Sequence, residues 1–285
     1  MGLIDAVPKI VGIILVQNED LFVRDAVSNV LEFCDELLLL DHKSGDRTWE
    51  ILSELEGQHN HAQLYKIDSA DESHSYIKSL AGTNSWVFGV DGDEIYDASG
   101  LRRVKQKIYD GAYDEWWQLF GNVLNCTHIN YEEETASGYL APPCRSITKL
   151  FNFNAIEKWG GACPERLHGG EVRFRAGYNH KKRLNLHVDL CWELADLRCL
   201  HTCFLPRSSL DGRSANARLN IVEKNTISAS SFLRRLIRAI SLRPEQGIYK
   251  KKKYMRGELV KKNIGMFFNT QRGAVEGFGR KDDLD

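Results

Sequence analysis

The strongest constraint on the fold is an alternation, within the first hundred residues, between short apolar runs and helical segments. The apolar runs are residues 10–16 (IVGIILV), 36–40 (ELLLL), 64–67 and 86–90 (WVFGV). Helices are predicted between them, at residues 20–33, 47–55 and 73–80. Continuous apolar strands separated by helices are typical of a parallel sheet that helices cover on both faces. We therefore predict an α/β, doubly wound domain.

Polar residues follow the predicted strands at the point where each strand ends. Gln17-Asn18-Glu19 follows the first strand, Asp41-His42 the second, and Asp91-Gly92-Asp93-Glu94 the fourth. Ligands of such sheets bind outside the carboxyl ends of the strands, so these side chains are predicted to line one site. Packed carboxylates repel each other and lose hydration, so the acidic segment needs a cation. Because no glycine-rich phosphate-binding motif is present, a divalent metal held by Asp91 and Asp93 is predicted to neutralise bound phosphate.

Three segments of this region also carry a family resemblance. IVGIILVQNED, DELLLLDHKSGDRTWEIL and WVFGVDGDEIYD, in this order, resemble the nucleotide-binding half of family 2 glycosyltransferases with the GT-A fold. That family has an N-E pair after strand one, a D-x-x-S-x-D-x-T segment after strand two and a D-x-D motif after strand four, which residues 18–19, 41–48 and 91–93 match. The resemblance covers residues 9–100 and, more loosely, extends to about 210. It implies a mostly parallel sheet with a smaller mixed acceptor-side sheet and C-terminal helices.

The resemblance implies roles for the residues at the strand ends. Asp41 would hydrogen-bond the nucleotide base, with Asn18 and Glu19 lining the same pocket, and Asp91 would approach the ribose. Asp93 would ligate Mg²⁺ or Mn²⁺ bridging the donor's diphosphate. Hard divalent cations favour carboxylate oxygens and keep positions open for phosphate, and neutralising a leaving diphosphate lowers the barrier to transfer. A solvated turn after a strand is the alternative interpretation of the carboxylates.

Further residues gain roles from the same resemblance. Lys78, on the helix before the fourth strand, would contact a donor phosphate or the base, or would be an exposed helix lysine. His201 would complete the metal site opposite Asp93, or would be a buried histidine with its hydrogen bonds satisfied. Arg207 would meet the donor diphosphate.

The segment KWGGACPERLHGG, residues 158–170, is predicted as an irregular loop that carries function. The family has a histidine–acid segment here, facing the acceptor. An inverting transfer needs a base to take the proton of the acceptor hydroxyl, and Glu165 is the candidate, with His168 orienting the acceptor. In the family the acid directly follows the histidine, where this chain has Gly169, so Glu171 stays an alternative base.

The cysteines allow a second interpretation of His201. Cys199, His201 and Cys203 alternate, so on a strand they would share one face, and Cys191 could complete a zinc site. No C-x-x-C pair is present, and consecutive same-face positions fit tetrahedral geometry poorly, so the role implied by the resemblance is preferred. Seven cysteines at irregular spacing fit reduced thiols of a cytoplasmic protein better than a disulfide framework.

A basic region lies near the C-terminus. Residues 232–262 contain eleven Lys or Arg against two Glu, in a chain of net charge −1. Apolar residues at helical spacing within 232–240 predict an amphipathic helix that either lies on an anionic membrane surface or packs on the α/β domain. No nucleic-acid-binding motif accompanies the charge, and no apolar stretch is long enough to span a bilayer. We predict a cytoplasmic protein and leave peripheral membrane contact open.

These observations divide the chain into a GT-A glycosyltransferase domain at 1–210 and a basic helical extension at 211–285. Within the domain, 9–100 is the nucleotide-binding half and 101–210 the acceptor half. The predicted function is inverting, metal-dependent transfer of a sugar from a UDP- or GDP-type donor to a hydroxyl of a glycan, lipid-linked or other acceptor. The alternative is a non-catalytic GT-A-like protein that binds a nucleotide sugar or a partner. A haloacid dehalogenase-type phosphatase is set aside, because that class carries D-x-D on its first strand.

Overall fold

The computed structural model describes residues 7–160, 171–186, 190–211 and 253–268. In these ranges the α-helices are α1 (Val23–Ser28), α2 (Thr48–Gln58), α3 (Ser73–Ile77) and α4 (Ala98–Tyr109). The strands are β1 (Lys9–Val16), β2 (Glu36–Asp41), β3 (Ala62–Lys66), β4 (Ser85–Asp91), β5 (Glu94–Tyr96), β6 (Gln118–Phe120), β7 (Asn122–Asn130), β8 (Thr135–Ala141), β9 (Lys149–Asn152), β10 (Ile156–Gly160), β11 (Glu171–Phe174), β12 (Arg183–Asn185), β13 (Arg198–His201) and β14 (Leu259–Asn263).

The large sheet has the strand order β12-β6-β9-β4-β1-β2-β3. Its strands β1 to β4 are parallel to one another, and β9 runs antiparallel to β4 and β6. Successive residues of β1 point to opposite faces: Ile10 and Ile14 pack with α1, α2 and α4, whereas Val11 and Ile13 pack with α3 and the β10–β11 hairpin. Burial of both faces explains why the strands read as continuous apolar runs.

The smaller sheet has the order β14-β8-β7-β13-β5 and encloses a second core around Leu124, Leu200 and Phe267. Its edge strand β14 pairs antiparallel with β8. The sequence predicted a helical extension beyond residue 211. The part of that region that the structure describes, 253–268, instead contains this strand, while the basic helix predicted at 232–240 lies outside the described residues. The division into domains stays a prediction.

The predicted fold class is confirmed: the protein is α/β, with a large, mostly parallel sheet and a second, mixed sheet. Two helices are shorter than predicted. The helix expected at 20–33 is reduced to α1, because the chain turns at Asn29, whose side-chain amide donates to the carbonyls of Tyr96 and Phe267, 2.7 Å from each. The helix expected at 73–80 is α3 followed by a 3₁₀ turn.

The described residues include no helix long and apolar enough to cross a membrane. The six cysteines in these ranges are free thiols.

Candidate functional site

The acidic segment after β4 is the point where the chain crosses from one sheet to the other. β4 belongs to the large sheet and β5 to the smaller one, so residues 91–94 lie at their junction. Gly92 allows this compact crossing. A Cβ atom at this position would lie 2.1 Å from Glu19 Oε2 and 2.8 Å from Val16 Cγ1. Only glycine therefore lets the loop after β1 approach the crossing this closely.

Two basic side chains neutralise the carboxylates at the junction. Lys149 Nζ lies 3.0 Å from Asp91 Oδ1 and 2.6 Å from Glu94 Oε1, and only 2% of its side chain is exposed. Arg207 Nη1 lies 2.6 Å from Asp93 Oδ2 and 3.2 Å from Glu19 Oε1. The sequence predicted a metal as the neutralising cation, whereas in the structure an ammonium and a guanidinium contact these carboxylates.

Glu94 is almost fully buried at the junction, with 1% of its surface exposed. Burial and the neighbouring Asp91 carboxylate raise the pKa of Glu94 to about 8, although Lys149 acts in the opposite direction. Burial and nearby carboxylates likewise hold the pKa of Tyr254 well above its usual range. Charge–charge interactions in such a site are stronger than at the protein surface.

His201 faces Asp93 from β13, with Nε2 3.8 Å from Asp93 Oδ2. Its Nδ1 lies 2.8 Å from Asn125 Oδ1, and Asn125 Nδ2 donates to the Tyr139 carbonyl at 3.2 Å. Because that second bond orients the amide, Nδ1 is the donor to Asn125. In the neutral ring Nε2 is then an acceptor nitrogen turned toward a carboxylate. Two acceptors that face each other favour a cation or a proton between them.

Asp93 and His201 fit one side of a divalent-cation site. Mg²⁺ is commonly bound by one or two carboxylates together with substrate phosphates, so a protein need not supply a complete ligand set. In the described ranges, no group of three His, Cys, Asp or Glu side chains is placed to hold a metal. The zinc interpretation of Cys199, His201 and Cys203 is therefore not supported there. A metal bound by Asp93 and His201 would take its remaining ligands from a bound substrate.

Asp41 ends β2 with an unsatisfied acceptor. Its Oδ2 accepts the Ser44 N–H at 3.2 Å, while Oδ1 is buried and has no hydrogen-bond partner among the described residues. A buried polar atom without a partner costs roughly 1–3 kcal/mol. Asp41 Oδ1 is thus suited to accept a hydrogen bond from a ligand.

The loops after β1 and β2 are tied together. Asn18, in the left-handed region at φ 53°, accepts the Gly45 N–H at 2.6 Å through Oδ1 and donates its own N–H to Ser44 Oγ at 2.9 Å. The Glu19 N–H donates to Thr48 Oγ1 at 2.8 Å. In these contacts Asn18 serves to position the loop after β2, and Glu19 brings its carboxylate to Arg207.

A segment from the C-terminal region closes one side of the site. The Tyr254 ring packs edge-on against the His201 ring, with centroids 5.1 Å apart and planes at 83°. Lys253 Nζ lies 4.8 Å from the centroid of the Tyr254 ring. This segment stands immediately before β14, whose pairing with β8 holds it against the smaller sheet.

A recess opens beside Asp91 on the α3 side of the large sheet. It is lined by Ile13, Leu15, Ser73, Gly89, Val90, Asp91 and Lys149. Its volume is about 10 Å³, which is room for about one water molecule.

Not every predicted site residue lies at the junction. Lys78 is exposed in the 3₁₀ turn Lys78–Leu80 and forms no ion pair within the described ranges. Glu171 begins β11 and is exposed. Glu165 and His168 lie outside the described residues, so the assignment of the base stays a prediction.

Three residues of the site were missed by the sequence analysis: Lys149, Asn125 and Tyr254. A lysine within the apolar segment 146–153 was a usable signal, because a buried charge needs a partner. Nothing in the local sequence distinguishes Asn125 or Tyr254.

Comparison with known proteins gave structural likenesses only. No protein-family model and no curated protein matches the chain. Among solved structures, it is similar to S. aureus TarS (14% identity, TM-score 0.34, 44% of this chain and 24% of that one). It is also similar to the mannosyltransferase PcManGT from Pyrobaculum calidifontis, whose structure is a complex with GDP-Man and Mn²⁺. The identity is 16% and the TM-score 0.30, over 44% of this chain and 37% of that one. A third is glucosyl-3-phosphoglycerate synthase from Mycobacterium tuberculosis, in complex with phosphoglyceric acid (18%, TM-score 0.29, 42% and 44%). The chain spans less than half the length of each of the three, and a functional assignment has to rest on the site itself.

Proposed function

We propose that the protein is an inverting glycosyltransferase of family 2 that moves a sugar from a UDP- or GDP-type donor to an acceptor hydroxyl. The observation that carries the proposal is the convergence of polar strand ends on one edge of the large sheet. Val16 pairs with Asp41, and Leu15 pairs with Asp91, so the ends of β2 and β4 flank the end of β1. Carboxyl ends of parallel strands are where α/β proteins bind their ligands.

The nucleoside is proposed to bind at the ends of β2 and β4. Asp41 Oδ1 would accept a hydrogen bond from the base, which satisfies its orphaned lone pairs. Asp91, held by Lys149, would contact the ribose. Asn18 and Glu19 would shape the pocket, and Lys78 would contact a donor phosphate or the base.

The diphosphate is proposed to bind between Arg207 and the Asp93–His201 pair. Asp93 and His201 would hold Mn²⁺ or Mg²⁺, which supplies positive charge to the departing nucleoside diphosphate. The Arg207 guanidinium would donate hydrogen bonds to phosphate oxygens, for which its planar fork is well suited. The 2.8 Å contact of Asn125 with Nδ1 would keep the His201 Nε2 lone pair directed at the site.

The acceptor half is proposed to supply the base. Glu165, or alternatively Glu171, would take the proton of the attacking hydroxyl, with His168 orienting the acceptor. A glycan and a lipid-linked acceptor are both compatible with these roles. A cytoplasmic location and membrane contact through 232–262 are proposed on sequence grounds alone.

The experiment that tests the proposal measures release of UDP or GDP from a panel of nucleotide sugars, with Mn²⁺ and a glycan array as acceptors. We expect release from at least one donor in wild type and its loss in Asp93→Asn. The matched control is Asp68→Asn, because this carboxylate is 87% exposed and its ion-pair partner is the exposed Lys43. Binding of a donor without release would favour the non-catalytic alternative. Absence of both donor binding and release would contradict the glycosyltransferase proposal and also the alternative of a nucleotide-sugar-binding protein.

A further inference from the structure

Arg207 contacts the very oxygen of Asp93 that faces His201. Arg207 Nη1 is 2.6 Å from Asp93 Oδ2, and the same oxygen is 3.8 Å from His201 Nε2. The residue proposed to neutralise the diphosphate and the residue proposed to ligate the metal are therefore bonded to each other in the structure.

This contact lies in a site where like charges interact strongly. The side chains of Asp93 and Glu19 are each 3% exposed. A guanidinium and a divalent cation on one buried carboxylate oxygen would stand close together, with little water to screen their repulsion. Contact of Arg207 with Asp93 Oδ2 therefore disfavours binding of a metal to the same oxygen, and the reverse also holds.

The backbone of Arg207 is held on both sides by hydrogen bonds. Its carbonyl accepts the Leu21 N–H at 3.1 Å, and its own N–H donates to Asp211 Oδ2 at 2.9 Å. Two residues further on, Ser209 donates to Asp20 through both its N–H and its hydroxyl. The Arg207 side chain is 18% exposed, in contrast to the carboxylates it contacts.

We propose that Arg207 is a built-in competitor of the divalent cation at Asp93, and that the donor's diphosphate relieves the competition by taking the guanidinium. Metal and nucleoside diphosphate then bind cooperatively, because each favours the arrangement in which Arg207 has left Asp93. Since such coupling is reciprocal, the nucleotide raises metal affinity by the factor by which the metal raises nucleotide affinity. The part of this inference that concerns the diphosphate rests on the proposed function. The competition between Arg207 and the metal at Asp93 does not.

The competition is tested with Mn²⁺ alone, by following the electron paramagnetic resonance signal of unbound Mn²⁺ during a titration. We expect Arg207→Met and Arg207→Gln to bind Mn²⁺ about tenfold more tightly than wild type, a typical size for a coupling between sites. The two variants guard against a folding defect, because glutamine can still donate hydrogen bonds to Asp93 and Glu19. Adding Asp93→Asn to either variant should abolish the increase in Mn²⁺ affinity.

The control for net charge is Arg24→Met, which removes an exposed arginine paired with Glu54 on the molecular surface. It should bind Mn²⁺ like wild type. If folded Arg207→Met and Arg207→Gln bind Mn²⁺ no more tightly than wild type, the competition is refuted.

The coupling between metal and nucleoside diphosphate is tested by equilibrium dialysis of radiolabelled UDP and GDP, with and without Mn²⁺. Wild type should bind one of them more tightly with Mn²⁺, and the enhancement should be smaller in Arg207→Met. An enhancement of equal size in that variant would overturn the coupling while leaving the glycosyltransferase proposal intact. Absence of UDP and GDP binding to wild type at saturating Mn²⁺ would overturn the coupling together with the proposed function.

Discussion

Lys149 lies at a central position of the large sheet and contacts Asp91, with 3.0 Å between Nζ and Oδ1. It stands on β9, which runs antiparallel to β4 and pairs Lys149 with Gly89. A buried strand is thus able to end in carboxylates because the neighbouring strand supplies a buried ammonium. Charged groups out of water need such partners.

Replacement of Lys149 by methionine should destabilise the fold. The change keeps an unbranched side chain, shorter by one atom, but leaves Asp91 without its cation, and breaking a buried ion pair in this way costs about 3 kcal/mol or more. Urea unfolding of wild type and variant measures the loss. Adding Asp91→Asn should restore part of it, because the charge left without Lys149 is removed. A variant as stable as wild type would show that Lys149 contributes no net stabilisation.

Replacement of Gly92 by alanine should disturb the site through Glu19. The new Cβ would lie 2.1 Å from Glu19 Oε2, so the Glu19 carboxylate, which contacts Arg207 through Oε1, has to shift. Overpacking of this kind typically costs roughly 1–3 kcal/mol. The matched control is Gly57→Ala in α2, where no atom lies within 4 Å of the added methyl group. This control should be about 0.5 kcal/mol more stable than wild type, because alanine reduces the backbone freedom of the unfolded chain. Thermal unfolding of both variants gives the comparison, and equal effects would refute the packing argument.

The strand ends could be predicted from sequence, because local periodicity places β1, β2 and β4 and parallel topology brings their carboxyl ends together. Glu19, Asp41 and Asp91 follow from that reasoning alone. Lys149, Asn125 and Tyr254 come from distant segments through β9–β4, β7–β13 and β14–β8 pairing. Pairing between remote strands leaves no periodic trace in the sequence. The acidic sequence of residues 91–94 indicates that a cation is needed there. It does not indicate that Lys149 and Arg207, from distant parts of the chain, contact these carboxylates.

Loss of the Tyr254 ring should leave the His201 side chain less firmly held in place. Tyr254→Ala removes the edge-on contact with His201, an aromatic pair whose usual value is about 0.5–1.5 kcal/mol, whereas Tyr254→Phe keeps it. We expect the alanine variant to bind Mn²⁺ with nucleoside diphosphate less tightly, and the phenylalanine variant to resemble wild type. Equal binding by all three proteins would show that the C-terminal segment does not support His201.

Asp35 should make stability depend on pH. Burial by itself would raise the pKa of Asp35, but bonds from Lys105, the Ile10 N–H and Tyr109 outweigh it and hold the pKa below its usual value. The folded state therefore binds the proton less readily than the unfolded state. The stabilisation is present at neutral pH, above the unfolded pKa, and is lost as the pH falls through the folded pKa.

The measurement for Asp35 is the urea midpoint of wild type and Asp35→Asn at pH 7, 5 and 3. At pH 7 the variant should be less stable by about 1 kcal/mol, a modest figure because about a third of the side chain is exposed. The difference should shrink as the solution is acidified. Asp68→Asn serves as the control, because this carboxylate is exposed on the surface. An equal difference at all three pH values would contradict the argument.

The central claim, a nucleotide-sugar donor site at the ends of β1, β2 and β4, is tested most directly by thermal stability against nucleoside diphosphates with and without Mn²⁺. Ligands that bind only the folded state raise the melting temperature by mass action. The account predicts a rise with UDP or GDP that is greatest when Mn²⁺ is present and is lost in Asp41→Asn and in Asp93→Asn. No rise with any nucleoside diphosphate, or a rise unchanged in both variants, would contradict it.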